Sequence, residues 1–202
     1  MIKTRDDLKF YLLCDEIARW GRRATLWEKL RSNKKWRFNV LLRKMEFNHN
    51  CRHGLVKKVM ALLLQIKMTH LSEGTGWEIP INTFGPGLCI VHKGPVIVNA
   101  QARFGANCRF HAMVNIGAGA GKQGAPKGGN RIYFGPGAKI FGDIEVGSNI
   151  AIGANAVVNK SFLESNVTIA GIPAGIVSNR GCDGYVIDAV AIAYNLDSKS
   201  KL

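Results

Sequence analysis

From Val98 to Ser161 the chain repeats every six residues, and no other feature restricts its fold as much. Read in blocks it runs VNAQAR, FGANCR, FHAMVN, IGAGAG and, after a loop, FGPGAK, IFGDIE, VGSNIA, IGANAV, VNKSFL. The first slot is always large and apolar: Val98, Phe104, Phe110, Ile116, Phe134, Ile140, Val146, Ile152 and Val158. The fifth is usually Ala, Val, Ile or Cys, and the second is often Gly or Asn. A period of six matches neither a helix at 3.6 nor a plain strand at 2. It matches a parallel β-helix, in which each hexad is one short strand and a turn. The apolar slots then face inward, and the second-slot Gly or Asn is expected to take the positive φ of a tight corner. A sandwich of short strands is the alternative, and the strict spacing argues against it.

Composition sets the outer bounds. The 202 residues are enough for one core plus a small appendage. A formal charge of +14, from 28 Lys and Arg against 14 Asp and Glu, favours anionic partners: coenzyme A, an acidic glycan, a membrane surface or nucleic acid. No nucleic-acid motif is present, so nucleic acid is not expected. Five cysteines (Cys14, Cys51, Cys89, Cys108, Cys182), widely spaced and without a CxxC pair, fit a reducing, cytoplasmic compartment. The start MIKTRDDLKF has no apolar signal core, and the longest apolar run, VMALLL, is far short of the roughly 20 residues of a membrane span.

Three parts follow along the chain. Residues 1–75 read as a helical region. Phe10, Leu13, Ile17 and Trp20 share one helical face, with Thr4, Asp6 and Asp7 at its start. Trp36, Val40 and Phe47 outline a second helix, and Val56, Val59, Leu63 and Ile66 a third. Lys57, Lys58 and Lys67 flank the third. They are expected on a solvated face, a membrane-surface face being the weaker alternative. The helices are expected to cover the first coil, whose open edge would otherwise invite pairing. His49, Cys51 and His53 form an H-x-C-x-H cluster without a fourth ligand at a usual spacing, so a polar junction between helices is favoured and no metal is expected. Residues 76–177 hold the β-helix. Its first coil is irregular around Ile79, Ile81 and Phe84, and the loop 117–131 interrupts it. That loop is not a phosphate-binding P-loop, because Gln123 follows Lys122. Gly128 falls in an aliphatic slot where the repeat resumes, which predicts loose packing. Residues 178–202 are a C-terminal extension, with a helix favoured over an added strand at Tyr185–Asn195.

The runs VHKGPVIVNAQARFGANC, FGPGAKIFGDIEVGSNIAIGANAVV and IAGIPAGI resemble those of the hexapeptide-repeat acyltransferases, and of the serine acetyltransferase branch most of all, over roughly Gly76 to Val177. The resemblance implies a mainly β fold, a left-handed parallel β-helix with an N-terminal helical region. It implies acetyl-CoA as acyl donor and a homotrimer with coenzyme A in the groove between coils of adjacent subunits. The positions matching the family's coenzyme A site are Gly117 and Ala118, Ala138, Gly153 and Ala154, and Ala170, Gly171, Pro173 and Ala174. Small residues there let pantetheine approach the backbone. Lys160 is the candidate for the phosphates, since Gly175 stands where the family often has a cation.

His92, in IVHKGPVIVN, stands where the family carries its catalytic histidine. Acyl transfer from a thioester to a hydroxyl needs a general base near neutral pH, which imidazole supplies. A coil of 18 residues would stack position 92 on position 110 and put His111 beside it, to bind substrate or tune the base, or simply to sit on a surface turn. An acid about one coil upstream fixes the ring in the family. Glu78 is the candidate, and Asn82 the alternative. One departure concerns the acceptor. The family's Arg-His-Pro-Lys run reads Gly124-Ala125-Pro126-Lys127 here, so the groups that recognise serine are altered. Shortened relatives resemble sugar O-acetyltransferases of surface or capsular polysaccharide, which is the alternative acceptor class. A zinc-dependent γ-type carbonic anhydrase-like protein is the alternative of another class, and it would need a third histidine beyond His92 and His111.

Overall fold

The computed structural model describes residues 1–31, 33–121 and 123–199. Helix α1 (Arg5–Trp20) starts where Thr4 and Asp7 predict: the Thr4 hydroxyl accepts from the Asp7 N–H, and the Asp7 carboxylate accepts from the Thr4 N–H. Helices α2 (Leu26–Arg31), α3 (Asn33–Cys51) and α4 (Gly54–Glu73) follow. The short α2 has no counterpart in the sequence reading. His53 is the N-cap of α4, and the His49 carbonyl accepts from Lys57 Nζ, so the H-x-C-x-H run is the joint between α3 and α4.

The third helix is present as α4, but the residues that outline it do not face the core. Val56, Val59, Leu63 and Ile66 are exposed, and α4 instead buries Leu64 and Met68. LVKKVMALLLQI is apolar on nearly every face, so periodicity alone cannot choose which face meets α3.

Fourteen strands come next: β1 (Trp77–Glu78), β2 (Cys89–Ile90), β3 (Val96–Val98), β4 (Arg103–Phe104), β5 (Arg109–Phe110), β6 (Val114–Gly117), β7 (Lys127–Gly128), β8 (Ile132–Phe134), β9 (Lys139–Phe141), β10 (Glu145–Val146), β11 (Ile150–Ile152), β12 (Val157–Val158), β13 (Thr168–Gly171) and β14 (Ala174–Ser178), before helix α5 (Ala189–Lys199). Among the described residues they form three sheets, the faces of a prism. Face A is β1-β3-β6-β9-β12, face B is β4-β7-β10, and face C is β2-β5-β8-β11-β13-β14. Every pairing is parallel except β13 with β14. The chain is thus a left-handed parallel β-helix with helices at its N-terminal end.

Outside the loop, where Ala120 is exposed and Gly128 half-buried, the first and fifth hexad slots are buried from Val98 and Ala102 to Ala156 and Val158. Phe104, Phe110 and Phe134 stack through the centre, with Phe110 and Phe134 rings 4.3 Å apart. The second slot has a different reason from the one expected. Positive φ falls two residues later, at Asn107, Met113, Gly137, Asn149 and Asn155. Second-slot glycines are instead places where coils touch: a Cβ on Gly135 would lie 2.6 Å from the Ile152 carbonyl oxygen, and one on Gly147 2.5 Å from that of Glu164. Nor is Gly128 loosely packed. A Cβ there would lie 2.5 Å from the Phe104 ring and 2.8 Å from Ile132 Cδ1, so neighbouring side chains already fill its volume.

The helices close the first coil. Phe38 packs edge-on to Trp77, Asn39 donates to the Leu88 carbonyl, and Arg43 donates to the carbonyls of Phe84 and Gly85. At the other end the chain returns along face C, and α5, starting four residues after Tyr185, packs on α1 and Cys89.

Candidate active site

His92 lies in the corner where face C turns into face A, between β2 and β3. The backbone on both sides of it is pinned. The Val91 N–H donates to the Phe110 carbonyl at 2.9 Å, Lys35 Nζ donates to the Val91 carbonyl, and the Pro95 carbonyl accepts from the Met113 N–H at 2.7 Å. Gly94, at φ +122, makes the bend between them in a conformation that other residues rarely adopt. The imidazole itself is exposed. It is therefore held by its backbone, with its ring open to solvent.

The stacking expected for the coil is off by two residues. Ile90 pairs with Phe110, a step of 20 residues, whereas Val96 of the next strand pairs with Val114 at the expected 18. His92 is thus carried past position 110, and His111 still reaches it: the two rings lie 5.2 Å apart. His111 in turn sits 5.1 Å from Tyr133, and Tyr133 5.3 Å from Tyr185, so four rings run up one side of the prism. Burial lowers the pKa of His111, and the charges of His92 and Arg109 add to the effect, so its ring favours the neutral form. Burial likewise raises the Tyr133 phenol, against the opposing charge of Arg109.

Neither upstream partner reaches His92 within the chain. Glu78 is exposed on β1, level with Ile97 of β3, and no contact joins it to the ring. Asn82 is engaged elsewhere: its side chain exchanges hydrogen bonds with Asn50, and its N–H donates to Glu46. Among the described residues the charged groups on this corner's backbone are cations, with Arg19 on the Ile90 carbonyl, Lys35 on Val91 and Lys139 on Met113.

The remaining candidates divide between two edges of face A. Gly153, Ala154, Ala170, Gly171 and Pro173 lie on the edge that carries His92, in later coils. Gly153 has no room for a side chain, since a Cβ would lie 2.8 Å from that of Ala170, and Ala154, Gly171 and Pro173 are exposed. Together they make a low strip above the histidines. Gly117, Ala118 and Lys160 lie on the opposite edge, between faces A and B, with Lys160 Nζ 5.5 Å from the Phe162 ring. Two positions do not offer side chains: Ala138 and Ala174 are buried in the core, and both the N–H and carbonyl of Ala138 are bonded to neighbouring backbone. Lys122 lies outside the described residues. Among them no three His, Cys, Asp or Glu side chains gather as metal ligands, and no helix is long and apolar enough to cross a membrane.

Sequence reasoning missed Tyr133, Tyr185, Lys35 and Lys139. Tyr133 was within reach, because it occupies an outward slot directly before Phe134. Lys139 closes the hexad FGPGAK but its reach to the Met113 carbonyl is not written in the repeat, and Lys35 and Tyr185 come from segments with no repeat to place them.

No protein-family model matches the chain. It is 33% identical to a serine acetyltransferase of Synechococcus elongatus over 138 residues, 66% of this chain and 55% of that protein. It is 34% identical to one of Staphylococcus xylosus over 139 residues, 67% and 63%. The chain thus spans little more than half the length of these curated relatives. Two crystal structures of serine acetyltransferase from Brucella abortus superpose with TM-scores of 0.68 and 0.66, at 26% and 27% identity. They cover 88% of this chain and 72% and 68% of those chains, and the second is a complex with coenzyme A. In sequence and in fold the chain is serine acetyltransferase-like.

Proposed function

We propose that this serine acetyltransferase-like chain transfers the acetyl group of acetyl-CoA to a hydroxyl, with His92 as general base. The observation that carries the reading is an exposed imidazole on a fixed backbone, beside His111 and below the low strip formed by Gly153, Ala154, Gly171 and Pro173. The neutral ring takes the acceptor's hydroxyl proton as its oxygen attacks the thioester carbonyl. The new C–O bond forms, the C–S bond breaks, and the proton passes to the departing sulfur. The cations around the corner suit a donor that carries phosphates. No covalent enzyme intermediate is needed.

The chemistry is assigned to residues 76–177, with 1–75 and 178–202 as supports. A homotrimer packed through face A reconciles the two sets of candidates: the His92 edge of one subunit then meets the Gly117, Ala118 and Lys160 edge of the next. Glu78 keeps a role in this scheme only if assembly brings it, or an acid from a neighbour, to the imidazole. The protein acts in the cytoplasm.

L-serine is the first acceptor to test, given the relatives. A sugar hydroxyl is the second reading, and two observations favour it: Gly124 and Ala125 stand where the family has Arg and His, and Tyr133 and Tyr185 offer flat faces along the track to His92. Coenzyme A release is measured with L-serine, homoserine and a panel of hexoses and N-acetylated hexosamines. Acceptor-dependent release with an acetylated product supports the reading, and the acceptor that gives it decides between serine and sugar. Release that no hydroxyl compound stimulates sinks it.

A further inference from the structure

We propose that α4 docks this protein on the surface of an anionic phospholipid bilayer. Leu55, Val56, Val59, Leu62, Leu63 and Ile66 form one continuous face of the helix, opposite the side that packs on α3. Each is exposed, from 48% at Leu63 to 75% at Leu55. Six large aliphatic side chains on two-thirds of one helix are more than isolated surface residues, and a face of this kind has a partner.

The charges around the face select the partner. Lys58 borders it on one side and Lys67 on the other, both exposed. Across the groove between α3 and α4, Arg37 and Lys44 extend the margin beside Lys67. The only acid on α4 is Glu73, its last residue. Residues 1–75 hold 17 Lys and Arg against 7 Asp and Glu, which is +10 of the chain's +14. Most of those acids are also spent internally: Asp15 and Glu46 on Arg43, Glu16 on Lys29, Glu28 on Arg22 and Asp7 on the α1 cap. An apolar stripe between basic margins matches an interfacial helix lying in the headgroup region, apolar side down and lysines at the phosphates. Two copies of α4 laid together would bury the same apolar face but set lysine margins against each other, with no carboxylates to pair them. A second exposed group, Leu26, Trp27 and Leu30 on α2, belongs to the same basic region. The helix lies on the bilayer and does not span it.

Flotation of the full chain with vesicles tests the proposal. Vesicles of phosphatidylcholine with phosphatidylglycerol should carry the protein, phosphatidylcholine alone should carry little, and high salt should release it. Leu62→Gln with Ile66→Gln should cut the bound fraction at least about tenfold, with the solution mass unchanged. Lys58→Gln with Lys67→Gln should cut it about tenfold and flatten the salt dependence. Both lysines are exposed, so the lysine pair gives the same reading should the apolar pair perturb folding. The proposal is overturned if anionic vesicles carry no protein, or if both pairs bind like the wild type. It is equally overturned if Leu62→Gln with Ile66→Gln lowers the solution mass, because the face would then be covered by a second copy.

Discussion

Arg43 makes no contact with the histidines, yet the prism and the helices are joined through it. The side chain is fully buried. Its Nε and Nη2 donate to Asp15, its Nη1 to Glu46, and the same guanidinium reaches the carbonyls of Phe84 and Gly85. Asp15 also accepts from the N–H groups of Gly87 and Leu88. Burial by itself lowers the guanidinium's pKa, and the charges of Asp15 and then Glu46 raise it by more, so the group is ionised. Two carboxylates and two carbonyls depend on one cation. Arg43→Met should therefore cost about 3–5 kcal/mol in urea unfolding, the usual cost of leaving buried charges unpaired. A loss under about 1 kcal/mol would show that the network is not what fastens α1 and α3 to the first coil.

At the scale of elements, the hexad repeat and the coil packing make different predictions for the same glycine. The repeat calls for an aliphatic residue at Gly128, so Gly128→Val looks like an improvement. The packing says that Phe104 already occupies the space, 2.5 Å from where a Cβ would be. The substitution should lower stability by about 1–3 kcal/mol, read as a fall in melting temperature. A rise would mean that the slot is as open as the repeat implies. The strands were legible because a period of six is repeated nine times and each apolar slot has only one inside to face. The corner conformations were not, since Gly serves both positive φ and close coil contact, and letters alone do not separate Gly135, which is close-packed without a positive φ, from Gly137, which is close-packed and has φ +76. Which face of α4 packs on α3 is not legible, because Leu64 and Met68 on one side and Val56, Val59, Leu63 and Ile66 on the other are equally apolar. For the site, His92 and His111 were found as neighbours despite the two-residue error in register, since one bend brings either register near the same corner. The outward slot of Tyr133 is legible in the repeat, but its place beside His111 depends on the six residues added by the loop, and Tyr185 depends on the return of the C-terminal segment.

For the whole molecule, face C is covered by α1, α5 and the segment that joins α5 to β14, which leaves faces A and B to meet other chains. Face A exposes Ile97 on β3 and Phe141 on β9, with Met113 at its corner. The proposed three-fold assembly through this face would cover these side chains and close a cleft beside each His92. Light scattering at micromolar concentration should give the mass of three chains, and Ile97→Lys with Phe141→Lys should give the mass of one. A wild-type monomer would leave the division of candidates between two edges without a physical reason.

The most direct test is the rate of acetyl transfer by His92→Ala, measured alongside coenzyme A binding and the circular dichroism of the fold. The ring is exposed and fills no part of the core, so fold and binding should be unchanged while kcat falls by about 10²–10⁴. His111→Ala should lose less and act mainly through the acceptor's apparent KM. A His92→Ala protein that turns over at a near-normal kcat, or equal losses at both positions with the fold intact, would contradict the assignment of His92 as the base.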